Sequence, residues 1–479
     1  MSLLAIEIST ASAKAMIYSV GQGVQKVKSI GFDKSICDIA SQDPVGVLDT
    51  LIRCIREIVQ DKTDNIEAVG ICTTWHSLLF LDGDRNPLGR IYTWANTKAS
   101  QIAAQYRQDA RLCSWVYERT GCMINSTYPL WQYIYFRDMD DESCRKARYL
   151  SSQEEYVFEK LTGEIAVSRC TASGSGLLNT HTLDWDDKIL EFASIKREQL
   201  ASLKEPTYAA PLKSSIAKEL GLTPGIPVII GGADGALNQI GDGGIREDIM
   251  TMSVGTSGAI RLVSNEVVLP SSPSTWCYYL AEGRHIVGGS TAGAGNCLDW
   301  FADKMGCGGK LSFEELEEAV KHVNIDNAPF FLPFLYGERC PGWLDNRLGG
   351  VLGLSSGHSF ADMYYAVLEG VLFNLYHCYV FLAELMSPPE KIVLSGGIVR
   401  SGYWTQMVSD IFQKKINISN VEHVSLLGAV VLIMKSLGLQ DLKQVQSDYG
   451  VVIVPDQRMK DIYGQRFEKY CTLYDRLKN

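Results

Sequence analysis

Several features that mark broad classes of protein are missing from this 479-residue chain. No excess of basic residues is present: the formal charge is −10, whereas binding to nucleic acid or to a membrane surface requires a basic face. No run of five like charges is available to form an interaction tail. We therefore expect neither a nucleic-acid partner nor a membrane partner.

Cysteine patterns that would hold a metal or a disulfide framework are also missing. The 13 cysteines are an odd number, scattered along the chain without a C-x-x-C pair or a Cys/His cluster at zinc spacing. We expect most of them to be reduced core residues of a cytoplasmic protein, because small thiols pack as hydrophobic side chains in a reducing compartment.

Segments that could address or anchor the chain in a membrane are not evident. The N-terminus has no basic region, and Glu7 interrupts its apolar run, which argues against a signal peptide. The longest apolar stretch, Val367–Met386, contains two glutamates, an asparagine and a histidine. It is too polar to span a bilayer and predicts a buried helix.

Two widespread phosphate-binding motifs are absent. The chain has no G-x-x-x-x-G-K-[ST], which excludes a P-loop enzyme, and no G-x-G-x-x-G with H-R-D and D-F-G, which excludes the protein-kinase type. A different pattern occurs twice instead. Residues 5–17 and 252–260 each predict an apolar strand, a tight turn of small hydroxyl residues and a second strand. Their threonines, Thr10 and Thr256, align at a separation of 246 residues, which predicts two similar domains with a nucleotide between them.

The turns of these two hairpins have the composition of a phosphate site. Backbone N–H groups together with Thr10, Ser12, Thr256 and Ser257 can hold anionic oxygens, and Lys14 can add a positive charge. An ordinary β-turn is the alternative, since serine, threonine and glycine are usual there. The repetition of the pattern favours phosphate binding.

The order of elements predicts an α/β protein of two domains. Strand and helix patterns alternate throughout, and 479 residues exceed what one core usually holds. The glycine-rich run at 241–244 suits a hinge, so we place the domains at 1–244 and 245–479. A strand, a Gly-Gly turn and a helix occur at 226–240 and again at 391–412, and we interpret this as a second trace of duplication.

Two helix boundaries are predicted from capping residues. Asp43 followed by Pro44 predicts an N-cap and first helical position, ahead of an apolar stripe at helical spacing. Ser152 with Glu155 predicts a capping box, opening a helix that ends at Gly163.

Asp234 is the candidate catalytic residue. It follows a buried strand at its carboxyl end, where open α/β sheets place their ligand crevice, and Gly232 and Gly235 allow close approach of a substrate. A carboxylate there can accept a proton from a sugar hydroxyl during phosphoryl transfer. The alternative is an ordinary helix N-cap, and the residues alone leave both interpretations open.

Glu7 is the candidate metal ligand. It is a charged residue within an apolar strand, and a buried acid needs a partner or a metal. Because magnesium at a nucleotide site keeps several waters, Glu7 could hold Mg²⁺ through water. The alternative is an acid at a strand end that faces solvent.

Two aromatic segments suit a polyol pocket, which needs apolar faces and many hydrogen-bond partners. Residues 74–77 contain Trp75 and His76, and residues 92–98 contain Trp94 and Asn96. Taken singly, each tryptophan could be core and the histidine a structural residue.

Arg339 lies in a predicted loop at 337–343 and could reach a carboxylate or a phosphate. The alternative is a surface salt bridge with one of two acids nearby in the sequence, Glu338 or Asp345.

Together these segments resemble the FGGY carbohydrate kinases, which belong to the actin-like, Hsp70-like and hexokinase-like nucleotide-binding superfamily. The resemblance runs in order from Leu4 to about Met434. Residues 349–354, a gap of seven residues and residues 362–369 fit the family's C-terminal signature at every fixed position. The other matching segments are 231–235, 254–259 and 394–397.

The resemblance implies two ribonuclease-H-like (actin-like ATPase) domains that close over Mg-ATP and sugar in an interdomain cleft. It implies that Asp234 is the catalytic base and that the hairpins, Gly255 and Thr256 included, are the phosphate loops. Gly396 and Gly397, with Ser401 nearby, correspond to the adenosine site. His76, Trp94 and Asn96 fall where family members contact the sugar.

Details within the family are most similar to gluconate kinases, for example at residues 75–79, 93–96 and 258–261. Departures from the family pattern also occur. The first hairpin has Glu7 and Ser9 where aspartate and glycine are usual, and serine disfavours the positive φ that glycine allows. In the sugar segments the departures from the gluconate type are Asn96, Lys98 and Asn125, which stand where aspartate, arginine and histidine are usual.

The sequence thus predicts an ATP-dependent kinase of a sugar acid, with D-gluconate phosphorylated at its terminal hydroxyl and magnesium near Glu7 and Asp234. One alternative is a kinase of a ketopentose such as xylulose, or of a polyol. A second is a regulator that binds sugar and nucleotide without catalysis, motivated by Glu7 and Ser9. The oligomeric state stays open, a homodimer included.

Overall fold

The structure is a computed structural model that describes residues 1–60, 65–243, 245–305, 313–419, 422–445 and 449–477. The strands are β1 Ser2–Ile8, β2 Ser12–Ser19, β3 Gly23–Gly31, β4 Ser41–Gln42, β5 Ile66–Thr73, β6 Leu79–Leu81, β7 Ile91–Tyr92, β8 Tyr149–Ser151, β9 Ala166–Ser168, β10 Leu178–Asn179, β11 Asp184–Trp185, β12 Ser202–Lys204, β13 Ala209–Pro211, β14 Pro227–Ala233, β15 Ile249–Val254, β16 Gly258–Ser264, β17 Trp276–Ala281, β18 Arg284–Thr291, β19 Phe330–Leu332, β20 Gly350–Leu352, β21 Lys391–Ser395, β22 Lys415–Ser419 and β23 Tyr449–Ile453.

The helices are α1 Pro44–Ile58, α2 Ser100–Tyr106, α3 Ala110–Thr120, α4 Pro129–Asp138, α5 Glu142–Lys146, α6 Gln153–Thr162, α7 Arg169–Ser173, α8 Asp187–Ala193, α9 Ser214–Leu220, α10 Asp234–Gly241, α11 Gly295–Met305, α12 Phe313–Val320, α13 Phe360–Ala383, α14 Gly402–Phe412, α15 Val424–Ser436 and α16 Met459–Arg476. Short 3₁₀ turns lie at Arg197–Gln199, Ile325–Asn327, Gly397–Arg400 and Leu442–Gln444.

Two mixed sheets share one plan, which confirms the predicted duplication. The first has the order β13-β14-β5-β1-β2-β3, and the second has the order β17-β18-β16-β15-β21-β22-β23. In each sheet a central hairpin (β1–β2, β15–β16) pairs on one side with an antiparallel strand, β3 or β18, and on the other with a parallel strand, β5 or β21. The predicted hairpins are therefore equivalent in position as well as in sequence.

The second trace of duplication was matched to the wrong strand. In the first sheet β5 pairs in parallel with the hairpin strand β1, and in the second sheet β21 does so with β15. The counterpart of β21 is therefore β5, whereas the internal repeat predicted from the sequence matches β21 to β14. The error has a local cause, because a strand that ends in two glycines before a helix can occur at any strand–helix junction facing a crevice.

Helices α10 and α15 cross at backbone distance and join the two halves. A Cβ atom at Gly241 would lie 2.2 Å from the carbonyl oxygen of Val424, and one at Gly428 would lie 2.0 Å from that of Leu237. Helix α15 also packs on β1, β5 and β14 of the first sheet. Gly241 is thus explained by helix packing, while a boundary at 244/245 stays a prediction, with Gly244 outside the described residues.

Both predicted helix starts are confirmed, one with a change of detail. Helix α1 begins at Pro44, where the Asp43 carboxylate accepts a hydrogen bond from the N–H of Gly46 at 2.7 Å. Helix α6 has Ser152 as its N-cap and ends at Gly163 in the left-handed conformation. The glutamate of its predicted capping box, Glu155, instead pairs with Arg85 at 2.8 Å.

The apolar stretch forms the buried helix that was predicted. Among the described residues, Phe360–Ala383 is the one helix long and apolar enough to cross a membrane, and 72% of its most apolar window is buried in protein. The twelve described cysteines are all free thiols, as expected from their spacing, and Cys307 lies outside the described residues.

A buried ion pair fixes α13 to the C-terminal helix. The two ends of the Arg466 guanidinium donate to both carboxylate oxygens of Glu369, each at 2.6 Å, and both residues are almost fully buried. Arg466 also donates to backbone carbonyls of residues 325, 328 and 329. Removing one partner would leave the other charge buried and unpaired.

We therefore expect Arg466→Leu to lower the free energy of unfolding by about 3–5 kcal/mol. The measurement is the shift of the urea unfolding midpoint. Arg458→Leu is the matched control, because Arg458 pairs with Asp456 while 88% of its side chain is exposed, so its loss should change the midpoint little. Equal midpoints for the two variants would contradict this account.

Candidate active site

A polar cavity of about 240 Å³ lies between the two halves of the chain. Its walls come from the first hairpin, the segments after β5 and β7, the start of α10, strands β15–β18 and the loop that follows β19. The lining residues are Thr10, Trp75, His76, Trp94, Asp234, Gly235, Ser253, Ser257, Gly258, Ala259, Arg261, Trp276, Tyr278, Ser290 and Arg339.

Asp234 is the first residue of α10, and its carboxylate faces this cavity. The residue at the N-cap position is Ala233, so the alternative of an ordinary capping aspartate is not what the structure shows. One carboxylate oxygen accepts from the N–H of Gly235 at 2.7 Å. Burial, followed by the charge of Glu7, raises the pKa of Asp234 to about 6, against the opposing effects of that N–H and of Arg261. The pKa of Asp234 is therefore closer to neutral pH than the pKa of an exposed aspartate.

His76 lies in the wall of the cavity as a neutral ring. Burial, helped by the nearby charge of Arg339, lowers the pKa of His76 to about 3. Its Nδ1 lies 2.6 Å from the carbonyl oxygen of Gly174. Because a carbonyl only accepts, Nδ1 must carry the proton, which leaves Nε2 as an acceptor for a hydroxyl hydrogen.

Aromatic side chains form the apolar face of the cavity. Trp75 packs on Tyr278 with ring centroids 5.1 Å apart, and Trp276 stacks on the same tyrosine at 4.6 Å. The indole N–H of Trp75 donates to the carbonyl of Cys170 at 3.0 Å, which fixes the ring in place. Trp94 donates from Nε1 to the hydroxyl of Thr10 at 3.3 Å and so joins this wall to the first hairpin.

Arg339 enters the cavity without an acidic partner. The alternative of a salt bridge to Glu338 or Asp345 is contradicted, because Glu338 pairs with Arg347 at 2.9 Å and Asp345 with Arg107 at 3.2 Å. The Arg339 guanidinium instead lies 5.8 Å from the ring centre of Trp94, and its Nε is buried without a hydrogen bond.

Arg261 is a second cation in the cavity, and the sequence reasoning had not assigned it a role. It projects from β16, donates to the hydroxyl of Ser253 at 3.0 Å and has a buried Nε without a partner. Burial lowers the pKa of Arg261, while Asp234 and Asp242 oppose that shift. Within the described residues neither Arg261 nor Arg339 forms an ion pair. Arg261 lies within residues 258–261, a segment that resembles gluconate kinases, and this resemblance could have indicated its place in the cavity.

A second, larger cavity of about 800 Å³ lies on the other side of the second hairpin. Gly255 and Thr256 line it together with Gly397 and Ser401, whereas Ser257 of the same turn faces the first cavity. The remaining lining residues are Val254, Gly295, Leu298, Asp299, Ala302, Glu314, Leu316, Tyr364, Ile398, Arg400 and Trp404. One turn of backbone thus borders both cavities.

Gly396 shapes the turn beside this larger cavity. Its φ is +93°, and a Cβ atom there would lie 2.5 Å from the carbonyl oxygen of Val254. Only glycine adopts this conformation at this distance without strain. Ser401 caps α14 by accepting from the N–H of Trp404 at 3.0 Å, and it donates a short hydrogen bond to Glu317.

The first hairpin is ordered by its own serines. Ser9 donates from its N–H to the carbonyl of Ser12 at 2.9 Å, and the two hydroxyls lie 3.0 Å apart. Ser9 has no positive φ, so the exchange of glycine for serine creates no backbone strain here. Gln42 donates to the carbonyls of Ser9 and Thr10 at 2.9 and 3.0 Å and holds the turn from outside.

Glu7 and Lys14 form a cross-strand ion pair beneath this turn. Lys14 Nζ lies 2.8 Å from one Glu7 oxygen, and Ser425 of α15 donates a short hydrogen bond to the other. Glu7 is almost fully buried, which excludes the alternative of an acid facing solvent. Its charge is nevertheless near enough to Asp234 to raise the pKa of that group.

Not every predicted site residue reaches a cavity wall. Thr10, Trp75, His76, Trp94, Asp234 and Arg339 meet in the first cavity, and Gly255, Thr256, Gly397 and Ser401 meet in the second. Asn96 is buried, with its side-chain oxygen accepting from the N–H of Lys98 at 3.0 Å. Glu7, Ser12, Lys14, Asn96 and Gly396 lie outside both lining sets.

Comparison with known proteins gives the same assignment to both halves. Residues 2–241 match the FGGY family of carbohydrate kinases, N-terminal domain, and residues 250–437 match its C-terminal domain. The gluconokinase of Bacillus subtilis (strain 168) is 30% identical over 463 residues, which cover 93% of this chain and 90% of the relative.

Two solved structures resemble the whole chain. The gluconate kinase from Lactobacillus acidophilus has a TM-score of 0.95 at 27% identity, covering 100% of this chain and 99% of that one. The xylulose kinase from the same organism has a TM-score of 0.94 at 27% identity, covering 99% and 98%. With two domain matches that span most of its length, the chain belongs to the FGGY family of carbohydrate kinases.

Proposed function

We propose that this protein transfers the terminal phosphoryl group of ATP to the terminal hydroxyl of D-gluconate, giving 6-phosphogluconate. The observation that carries the proposal is the pair of unpaired guanidinium groups, Arg261 and Arg339, in the same cavity as Asp234. A half-buried cation that forms no ion pair favours a ligand that brings a negative charge. The carboxylate of a sugar acid supplies it.

The reacting groups would divide between the two cavities. ATP would occupy the larger one, with its phosphates at the turn that Gly255 and Thr256 form, opposite Thr10. Gluconate would occupy the smaller one, with the Nε2 of His76 accepting from a hydroxyl. Asp234 would orient the attacking hydroxyl and accept its proton as the phosphoryl group moves. Exclusion of water by the two halves would strengthen each of these electrostatic interactions.

The donor set at the base of the cleft fits magnesium held mostly by water and phosphate. Within the described residues no cluster of three or more metal-ligating side chains occurs, but Mg²⁺ at a nucleotide site needs only one or two carboxylates. Glu7 and Asp234 would supply them, and of the two Asp234 is less engaged, because Glu7 already accepts from Lys14 and Ser425. A bound magnesium ion would neutralise charge on the phosphates.

A ketopentose kinase is the second candidate, favoured by the equally close fold of a xylulose kinase. A neutral ketose would leave both half-buried arginines without an ion pair, which is less favourable than a bound carboxylate. The alternative of a non-catalytic regulator loses its motive from Ser9, because the backbone of the first hairpin is unstrained. We keep a cytoplasmic location as part of the proposal.

A substrate panel with coupled detection of ADP tests the acceptor. We expect kcat/KM for D-gluconate to exceed that for xylulose and neutral polyols by at least about tenfold, since a site built for a charged group rejects analogues that lack it. Arg339→Gln should lower kcat/KM for gluconate selectively. Arg111→Gln, on the exposed face of α3, is the control. A preference for a neutral ketose would overturn the choice of gluconate.

Asp234→Asn tests the base. We expect kcat to fall by about 10²-fold or more, because a positioned base contributes that much, with ATP affinity by calorimetry largely kept. Asp242→Asn is the matched control: Asp242 follows the same helix, has a pKa raised to about 6 by burial, and accepts from Ser419 outside the cavity. If Asp234→Asn turned over at the normal rate, the carboxylate would not be the base.

Gly255→Asp tests the phosphate turn. No atom lies within 4 Å of a Cβ at Gly255, so the fold should accept the change, while the new carboxylate would repel phosphate. We expect ATP affinity to fall at least about tenfold with the melting temperature unchanged. Gly31→Asp, on the edge strand β3 with equally open space, should bind ATP normally. Unchanged affinity in Gly255→Asp would place the phosphates elsewhere.

A further inference from the structure

The loop that carries Arg339 is bonded on both sides. Residues 337–347 lie between β19 and β20, which pair with each other in a two-stranded sheet, and Arg339 of this loop lines the cavity. The two acids of this loop have different partners: Glu338 pairs with Arg347 at the end of the loop, and Asp345 pairs with Arg107 in the first half of the chain. Arg339 therefore lies in a loop that is held in place at two points, one at Glu338 and one at Asp345.

The first fixed point is formed with the C-terminal helix. Glu338 is 2% exposed and accepts from the N–H of Gly342 at 2.9 Å and from Arg347 at 2.9 Å. The hydroxyl of Tyr474 in α16 donates a short hydrogen bond to the same carboxylate. This side of the loop stays within the second half of the chain.

The second fixed point crosses to the first half of the chain. One oxygen of Asp345 accepts from both terminal nitrogens of Arg107 at 3.2 Å. The other accepts from the amide of Asn125 at 2.7 Å and from the hydroxyl of Ser126 at 3.3 Å. Arg107 also donates to the carbonyl of Ile124 at 2.8 Å, so one carboxylate and one guanidinium gather the whole segment 124–126.

This segment leads directly into the wall of the substrate cavity. Tyr128 follows it and packs edge-on against His76 with ring centroids 5.2 Å apart, while its hydroxyl lies 2.9 Å from that of Tyr278. Trp343, in the Arg339 loop, also packs on Tyr128, with ring centroids 6.0 Å apart. The bonds of Asp345 therefore set the distance between the Arg339 loop and the His76 wall.

From this geometry we infer that Asp345 is a positioning residue for the acceptor: by bonding Arg107, Asn125 and Ser126 across the two halves, it holds Arg339 where the carboxylate of a sugar acid must lie. The inference rests on the proposed function for the identity of the acid. It also gives a role to Asn125, whose shorter amide reaches Asp345 where gluconate kinases usually have histidine. Acid recognition thus requires the two halves to be docked.

A double-mutant cycle between Asp345→Ala and Arg339→Gln tests the inference with purified full-length protein. We expect Asp345→Ala to raise the KM for D-gluconate about tenfold while the KM for ATP changes less than about twofold. In the Arg339→Gln background the same substitution should have almost no further effect, because residues that act through one another are not additive. If Asp345→Ala folds poorly, Asn125→Ala is the second variant: it removes the amide's bonds to Asp345 and to the N–H of Thr127 but no charge, and should show the same coupling with a smaller change in KM.

Asp184→Ala is the matched control. It breaks the exposed pair of Asp184 with Arg197, which is remote in sequence from the Arg339 loop, and should leave both KM values unchanged. Independent, multiplying effects of Asp345→Ala and Arg339→Gln, or a parallel rise in the KM for ATP, would overturn the role of Asp345 and leave the proposed function standing. Failure of the unaltered protein to phosphorylate gluconate would overturn the proposed function itself.

Discussion

The close crossing of α10 and α15 is the contact on which the rest of the structure depends. Because Gly241 and Gly428 let the two helices approach at backbone distance, a helix from the second half lies against the sheet of the first. Asp234 begins the first of these helices, so the crossing fixes its height in the cleft. The same helix α15 brings Ser425 to Glu7 beneath the first hairpin. The position of Asp234, the support beneath the first hairpin and the packing between the two halves thus depend on the same helix crossing.

Near that crossing, burial determines which charged side chains form ion pairs and how His76 and Asp234 are protonated. The acids of the Arg339 loop are satisfied by Arg347 and Arg107, while the two arginines that face the cavity are not satisfied by any acid among the described residues. Burial lowers the pKa of His76 and keeps its ring neutral, and burial also raises the pKa of Asp234. Since desolvation strengthens each remaining electrostatic interaction, these two arginines are the basis for our proposal that the site takes an anionic ligand.

The parts of this picture that sequence reasoning supplied are those with local causes. The two hairpins, the capped starts of α1 and α6 and the aspartate at the end of β14 follow from short patterns of residue type. The equivalence of β21 with β5, the partner of Glu155 and the position of Arg261 in the cavity did not follow, because each depends on which strands and side chains meet across long separations. Asp345 illustrates the limit: it lies 238 residues from Arg107. No local pattern encodes such a contact.

The positions of α15 and α16 late in the sequence have a consequence for biosynthesis. Tyr474 and Arg466, near the end of the chain, complete the anchoring of the Arg339 loop and of α13, and α15 completes the packing on the first sheet. When only the first half has been translated, the first sheet therefore lacks helix α15, which packs on it in the complete chain. Domains that fold during synthesis do so from the N-terminus onward. In this chain, the first sheet can complete its packing only after α15 of the second half has been translated.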